Sequence, residues 1–153
     1  MIRVTPDTNV LISTLFYHGN ERAVLEAAVE GHLQFVLSME IIDELIRVLE
    51  KKFKVDPELT RDYVLRLNEL SDIAKPRKLP GKLVRDREDA KVIECAHSGH
   101  SDYIVSGDRD LLSLKRYQQT RILSPSELVK ILRHDAGVGQ FGMTPPRTGQ
   151  TGS

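Results

Sequence analysis

The sequence DYIVSGDRDLL, residues 102–112, carries the strongest structural signal in the chain, because a short apolar run stops at a glycine and two acids follow. Tyr103, Ile104 and Val105 favour a strand that is covered on both faces of a parallel sheet. Gly107 is expected to permit a sharp turn. Ligands of open parallel sheets bind just beyond the carboxyl ends of the strands. Asp108 is therefore a candidate site residue, with an ordinary turn, in which Asp110 caps a short helix, as the alternative.

The same pattern opens the chain, where Asp7, Thr8 and Asn9 follow the strand predicted at residues 2–6. Helical spacing of apolar residues separates further short apolar runs. The predicted strands span residues 2–6, 33–37, 71–75, 103–105 and 121–123. The predicted helices span residues 21–30, 39–52, 58–70 and 87–98, with a last helix after a capping box at Ser124. Alternating strands and helices predict a three-layer α/β/α sandwich with a central, about five-stranded parallel sheet.

Length and composition predict one soluble domain. The 153 residues are 40% hydrophobic and 29% charged, and 22 basic residues balance 22 acidic ones, so no global charge favours nucleic acid. Cys95 is the only cysteine, which excludes an intramolecular disulfide and a multi-cysteine metal site and fits a reducing compartment. The chain contains neither a membrane-span pattern nor a signal-peptide pattern, so we expect a cytoplasmic protein.

The C-terminal end differs from the rest of the chain. Five of the ten glycines follow residue 136, together with two prolines and almost no apolar residues. Such a segment cannot bury enough apolar surface to fold. The predicted division is therefore a domain at residues 1–134 and a disordered tail at residues 135–153.

Two acids stand out on predicted helices. Asp89 lies three and four residues before Val92 and Ile93, which places it within the apolar stripe of its helix. Burying a charge there costs several kcal/mol unless it is paired or bound to metal. The alternative is that Asp89 only complements the helix dipole. Glu44 lies at the edge of an apolar stripe, and its position alone favours a surface acid.

Asp7, Glu44, Asp89 and Asp108 come from two strand ends and two helices, and a right-handed α/β fold can bring them to one crevice. Clustered carboxylates repel one another, so such a crevice requires divalent cations. Oxygen ligands select Mg²⁺ or Mn²⁺ over zinc. Two such ions can activate water and stabilise the leaving oxygen of a phosphodiester.

The chain resembles a PIN domain, a family of metal-dependent nucleases that includes the VapC-like toxins of bacterial and archaeal toxin-antitoxin pairs. The resemblance covers roughly residues 2–132, and its later part is most similar to the toxin components. It rests on four motifs in order, which are Asp7-Thr8-Asn9-Val10-Leu11, Ile41-Ile42-Asp43-Glu44-Leu45, Asp86-Arg87-Glu88-Asp89 and Val105-Ser106-Gly107-Asp108-Arg109-Asp110-Leu111-Leu112.

The resemblance implies an Mg²⁺- or Mn²⁺-dependent ribonuclease with an acidic quartet at Asp7, Glu44, Asp89 and Asp108. It makes Asp110 a fifth metal ligand and Asn9 and Ser106 supporting polar residues. It leaves open whether Asp86 or Asp89 is the ligand, and the helical face favours Asp89. The implied reaction is endonucleolytic cleavage of single-stranded RNA by metal-activated water, which leaves 5′-phosphate and 3′-hydroxyl ends. The implied partners are RNA, an antitoxin protein and a second copy of the chain.

The segment 75–87 is rich in basic residues and immediately precedes Asp89. It is either a solvated loop or a surface that holds RNA phosphates. Its phosphate-binding candidates are Lys75, Arg77, Lys78, Lys82 and Arg85.

Two other functions compete with the nuclease. A phosphatase similar to the haloacid dehalogenases also has an Asp at its first strand end, but it needs a second Asp two residues later, where this chain has Asn9. No well-placed Lys precedes Gly107 either. The other alternative is a PIN module that binds RNA or a protein without cutting.

Overall fold

Strands and helices alternate along the chain in a computed structural model, which describes residues 1–81 and 84–136. The strands are β1 Ile2–Pro6, β2 Leu33–Leu37, β3 Ser71–Ile73, β4 Tyr103–Val105, β5 Arg116–Tyr117 and β6 Thr120–Leu123. The helices are α1 Thr8–Phe16, α2 Asn20–Val29, α3 Met39–Arg47, α4 Pro57–Glu69, α5 Arg87–Ser98, α6 Arg109–Leu114 and α7 Pro125–Ala136. A π-helical turn, Val48–Lys52, continues α3.

The strands form one sheet in the order β3-β2-β1-β4-β6-β5. All neighbours are parallel except β5, which pairs with β6 in the antiparallel sense. Helices flank the sheet, and the predicted α/β/α fold class is confirmed. None of the helices in the described ranges is long and apolar enough to cross a membrane.

The central strands have the apolar composition that parallel sheets require. Val4 in β1, Phe35 in β2 and Ile104 in β4 are at most 1% exposed. Helices therefore cover both faces of these strands, and burying each such side chain contributes about 1.5–3 kcal/mol. The helix α5 contacts β1, β2 and β4, so it packs across the centre of the sheet.

The close approach of α5 to the sheet explains one glycine. Gly99 follows the last residue of α5, and a Cβ atom there would lie 2.3 Å from Cγ1 of Val36 in β2. No side chain fits at that distance. Gly107, which we expected to permit a sharp turn after β4, has no positive φ, and a Cβ there would meet nothing within 4 Å. The structure therefore shows no conformational or steric requirement for a glycine at this position.

Other differences from the prediction have local causes. The sheet has six strands rather than about five. The additional strand, β5, was not predicted because its two residues are too few and too polar to show a sequence pattern. The helix predicted at residues 39–52 changes to π-helical winding after Arg47, and β3 ends at Ile73 rather than at residue 75. Helix α7 extends to Ala136, two residues beyond the predicted boundary. The remaining residues of the predicted tail, 137–153, lie outside the described residues.

Candidate active site

The register of the sheet brings two candidate acids together. Pro6 at the end of β1 pairs with Val105 at the end of β4, and the Asp7 backbone N–H donates to the Val105 carbonyl at 3.0 Å. The residues that follow these strands therefore meet at one edge of the sheet. Asp7 and Asp108 both belong to this edge, as the strand-end pattern predicts.

Asp7 and Asp108 also begin the helices that follow them. One oxygen of Asp7, Oδ1, accepts from the Val10 N–H at 2.9 Å and caps α1. Asp108 Oδ1 accepts from the Asp110 and Leu111 N–H groups at 2.8 and 3.2 Å and caps α6. N-capping fixes each carboxylate and stabilises the helix by about 1 kcal/mol. The capping role that the alternative assigned to Asp110 thus belongs to Asp108.

Ser106 links the two acids. Its hydroxyl donates to Asp7 Oδ2, and its Oγ accepts from the Asp108 N–H at 2.9 Å. Ser106 is fully buried, so this bridge is shielded from water. Burial raises the pKa of Asp7, the Ser106 and Val10 hydrogen bonds lower it, and the Asp108 charge raises it, with a net rise. The Ser106 hydrogen bond therefore favours the ionised form of Asp7, whereas burial favours the protonated form.

Asp89 lies in the first turn of α5 and is only 8% exposed. Its Oδ2 is buried and has no hydrogen-bond partner among the described residues. Burial is the largest cause that raises its pKa to about 7, followed by the charges of Asp108, Asp86, Asp7 and Asp110. A buried carboxylate oxygen without a donor requires a proton or a cation.

Asp86 has a different environment from Asp89. It is exposed, and its Oδ1 accepts from the Glu88 N–H at 2.8 Å, which caps α5. Asp86 thus has a structural role, whereas Asp89 faces inward, in agreement with the helical-face argument.

Glu44 reaches the same region from α3. Its Oε1 accepts from Thr8 Oγ at 3.0 Å. Its pKa is raised by burial, lowered by the Thr8 bond, and raised by a hydrogen bond with Glu88 and by the Glu88 charge. Glu88 was not among the sequence candidates. It pairs with Lys91 at 3.3 Å, and its place in the Asp86-Arg87-Glu88-Asp89 motif was the only signal for it.

These side chains surround a cavity of about 140 Å³ at the carboxyl edge of the sheet. Its lining is acidic and polar except for one valine. The lining residues are Asp7, Thr8, Asn9, Glu44, Asp86, Glu88, Asp89, Val92 and Asp108. Asp110 contributes from α6, because one carboxylate oxygen each from Asp89, Asp108 and Asp110 lie within 4.8 Å of one another. The four predicted quartet residues thus share one cavity, and three acids can hold a metal ion.

One known protein family matches most of the chain. The family model described as PIN domain matches residues 3–110, which include β2 to β4, most of β1 and all the candidate acids. The chain belongs to the PIN domain family. Among curated proteins, none matches the chain significantly. PIN domains are typically metal-dependent nucleases and commonly bind RNA, so the chain has a nuclease-type fold with an acidic cluster that can bind a divalent metal.

The predicted phosphate-binding residues of this PIN domain that the structure describes do not line the acidic cavity. Lys75, Arg77 and Lys78 line a cleft of about 590 Å³ at the C-terminal end of α5. Lys78 and Arg85 line a second cleft of about 240 Å³, where Arg87 forms a two-point ion pair with the buried Glu94 at 2.7 and 3.2 Å. The remaining candidate, Lys82, lies outside the described residues.

Proposed function

We propose that the chain is a metal-dependent endoribonuclease that cleaves single-stranded RNA, with Asp7, Glu44, Asp89 and Asp108 as its catalytic acids. The observation that carries the proposal is Asp89 Oδ2, a buried carboxylate oxygen without a partner among the described residues. It belongs to a group of acids whose mutual repulsion disfavours ionisation. A divalent cation reverses that repulsion.

The donor set fits Mg²⁺ or Mn²⁺. The candidate metal ligands are all carboxylates, which hard cations prefer, and there are enough of them for two ions. The proposed ligands are Asp7, Glu44, Asp89, Asp108 and Asp110. Two cations held by these residues would supply an activated water and neutralise charge on the phosphodiester and its leaving oxygen.

Hydrogen bonds from surrounding residues fix the orientation of these acids. Ser106 and the Val10 N–H hold both oxygens of Asp7, and the first N–H groups of α6 hold Asp108. Thr8 holds Glu44 in the same way. The acids are therefore already in place and need little reorganisation when a divalent cation binds. Asn9 adds an exposed, uncharged donor and acceptor at the rim, where it can orient substrate without adding to the repulsion.

The basic clefts along α5 are proposed to bind RNA phosphates. They lie on the helix that carries Asp89, and Lys75, Arg77, Lys78 and Arg85 form no ion pairs within residues 1–81 and 84–136. Each phosphate contact that is removed should weaken RNA binding and reduce the slope of log K against log salt concentration by about one. Lys78→Ala, which affects both clefts, tests this assignment, and Lys130→Ala on α7 is the matched control.

A role as the toxin of a cytoplasmic toxin-antitoxin pair, with an antitoxin partner and a homodimer, belongs to the same proposal. It is supported by the likeness of the later motifs to toxin components and by a single cysteine, Cys95, that is buried and forms no disulfide. Membership of the PIN family argues against the phosphatase alternative. Growth arrest on expression of the wild type but not of Asp7→Asn would support the toxin role. Equal growth of both strains would contradict it.

The nuclease is tested by incubation with a pool of random single-stranded RNA, in Mn²⁺ and separately in EDTA. We expect cleavage in Mn²⁺ only, new 5′-phosphate ends, and no cleavage by Asp7→Asn from a parallel preparation. Equal cleavage by both preparations would identify a contaminant. RNA binding without cleavage by the wild type would favour the non-cutting module.

A further inference from the structure

Three aromatic side chains lie together on the surface, away from the acidic cavity. Phe16, Tyr17 and Phe53 are 45%, 65% and 43% exposed. The Phe16 and Phe53 ring centroids are 5.3 Å apart with an angle of 33° between the planes, and Tyr17 meets Phe16 edge-on at 6.5 Å. We call these three residues the aromatic platform. Contiguous exposed aromatic surface is typical of an interaction site.

Lysines adjoin Phe53 of the aromatic platform. Lys51, Lys52 and Lys54 flank Phe53 in sequence and are exposed, and Lys52 Nζ lies 5.7 Å from the Phe53 ring centroid. None of the three forms an ion pair with any residue of the described ranges. Aromatic rings beside free cations are the composition of surfaces that bind single-stranded nucleic acid, because bases stack on the rings while phosphates meet the cations.

The backbone presents these groups in a specific way. The π-helical turn Val48–Lys52 ends the α3 segment, and Lys54 has a φ of 55°, so helical winding stops at Phe53. π-helical turns are rare and frequently occur at functional sites. Phe53 therefore lies at an exposed corner rather than on the flank of a regular helix.

Helices α1 and α3 connect the aromatic platform to the acidic cavity. The Thr8–Glu44 hydrogen bond joins them at the cavity, and the Phe16–Phe53 contact joins their far ends. Phe16 lies eight residues after Thr8, which corresponds to about 12 Å at the helical rise of 1.5 Å per residue. The aromatic platform and the acidic cavity are thus neighbours on one pair of helices.

Polar and basic side chains occur along both helices between these two ends. On α1, Asn9 and Ser13 precede Tyr17 at four-residue spacing, which places them on one side of the helix. The exposed Arg47 ends α3 and the exposed Lys51 lies in the π-helical turn that follows, and neither forms an ion pair within the described part of the chain. A polyanion can follow such a path, whereas apolar contact between proteins would leave these charges buried and unpaired.

We propose that the aromatic platform binds unpaired RNA bases and extends the substrate site along α1 and α3. This inference rests on the proposed nuclease function and adds a second point of contact to it. At about 3.4 Å per stacked nucleotide, the distance of about 12 Å corresponds to roughly three or four nucleotides between the platform and the cavity. A short RNA that occupies the cavity cannot reach the platform, and a longer one can.

The test compares two labelled single-stranded RNAs, one of about twelve nucleotides and one of about three, which lie above and below that spacing. Phe53→Leu keeps apolar bulk but removes the aromatic face, and Phe53→Trp restores it. With the long RNA, Phe53→Leu should raise KM about tenfold at unchanged kcat, the size expected for one lost base stack. Phe53→Trp should resemble the wild type, and the short RNA should not distinguish the three proteins. Binding of the long RNA, followed by fluorescence anisotropy, should change in parallel with KM.

Unchanged KM and unchanged anisotropy with the long RNA in Phe53→Leu and in Lys52→Ala would overturn the proposal. Sedimentation of the wild type and of Phe53→Glu tests whether a second copy of the chain covers the aromatic platform instead. A wild-type dimer that Phe53→Glu dissociates would make this face an interface between two copies, and it would also overturn the proposal. Failure of the wild type to cut either RNA would count against the nuclease, and the anisotropy comparison would still decide for or against the platform.

Discussion

Asp89→Asn should stabilise the metal-free protein at alkaline pH. The folded state raises the pKa of Asp89 from 3.8 to about 7. Between these values the unfolded chain releases a proton that the folded chain retains, so the free energy of unfolding falls as the pH rises through that window. A shift of about three units corresponds to at most about 4 kcal/mol. Solvent in the open cavity screens part of this, and we expect about 2 kcal/mol.

The amide that Asp89→Asn introduces carries no charge and can donate to the neighbouring carboxylates. The variant should therefore lack the fall in the free energy of unfolding that the raised Asp89 pKa causes between pH 4 and pH 7. Thermal unfolding in EDTA should show a melting temperature at pH 8 that is roughly 4–8 °C above that of the wild type, and this gain should vanish near pH 4. Asp62→Asn, an exposed acid on α4, is the matched control and should show no gain. Added Mn²⁺ should stabilise the wild type and not Asp89→Asn. A gain in melting temperature at pH 8 no larger than that of Asp62→Asn would refute the claim that burial and neighbouring charges raise the pKa of Asp89.

Three further predictions follow from single contacts. Ser106→Ala removes a donor that lowers the pKa of Asp7, so the acid limb of the pH–rate profile for RNA cleavage should move to higher pH; an unchanged limb would show that the hydroxyl does not tune this carboxyl. Gly99→Ala should destabilise the fold by about 1–3 kcal/mol in denaturant unfolding, because its Cβ meets a valine of β2, whereas Gly107→Ala should be within about 0.5 kcal/mol of the wild type. Similar values for the two variants would contradict the close packing. Tyr63→Phe removes a buried hydroxyl that donates to an α1 carbonyl at 2.8 Å and should destabilise the fold by about 1 kcal/mol without changing Mn²⁺ affinity; a weakened affinity would mean that α4 supports the site more directly.

The sequence predicted those site residues whose position depends on one element. Asp7 and Asp108 follow apolar strands, and parallel strands bring their carboxyl ends to one edge. Asp89 was placed by the period of its own helix. Alternation of strands and helices was sufficient for the fold class, because right-handed crossovers leave few other arrangements.

The remaining site features depend on how separate elements meet. The position of Glu44 on its own helix favoured a surface acid, and only the packing of α3 on α1 brings it to Thr8. Glu88 was missed because its contact with Glu44 joins two helices 44 residues apart in the chain. The aromatic platform has the same origin, since Phe16 and Phe53 become neighbours only through helix packing. The metal-binding and catalytic roles of the acids remain predictions.

The rate of RNA cleavage as a function of Mn²⁺ concentration tests the central claim most directly, when it is measured for the wild type, Asp89→Asn and Asp62→Asn. We expect saturable cleavage by the wild type and Asp62→Asn. For Asp89→Asn we expect a loss of maximal rate of about 100-fold or more and a weaker apparent Mn²⁺ affinity, as for the removal of a group that stabilises the transition state. Superimposable curves for the wild type and Asp89→Asn would contradict the assignment of the acidic cavity as the metal-dependent active site.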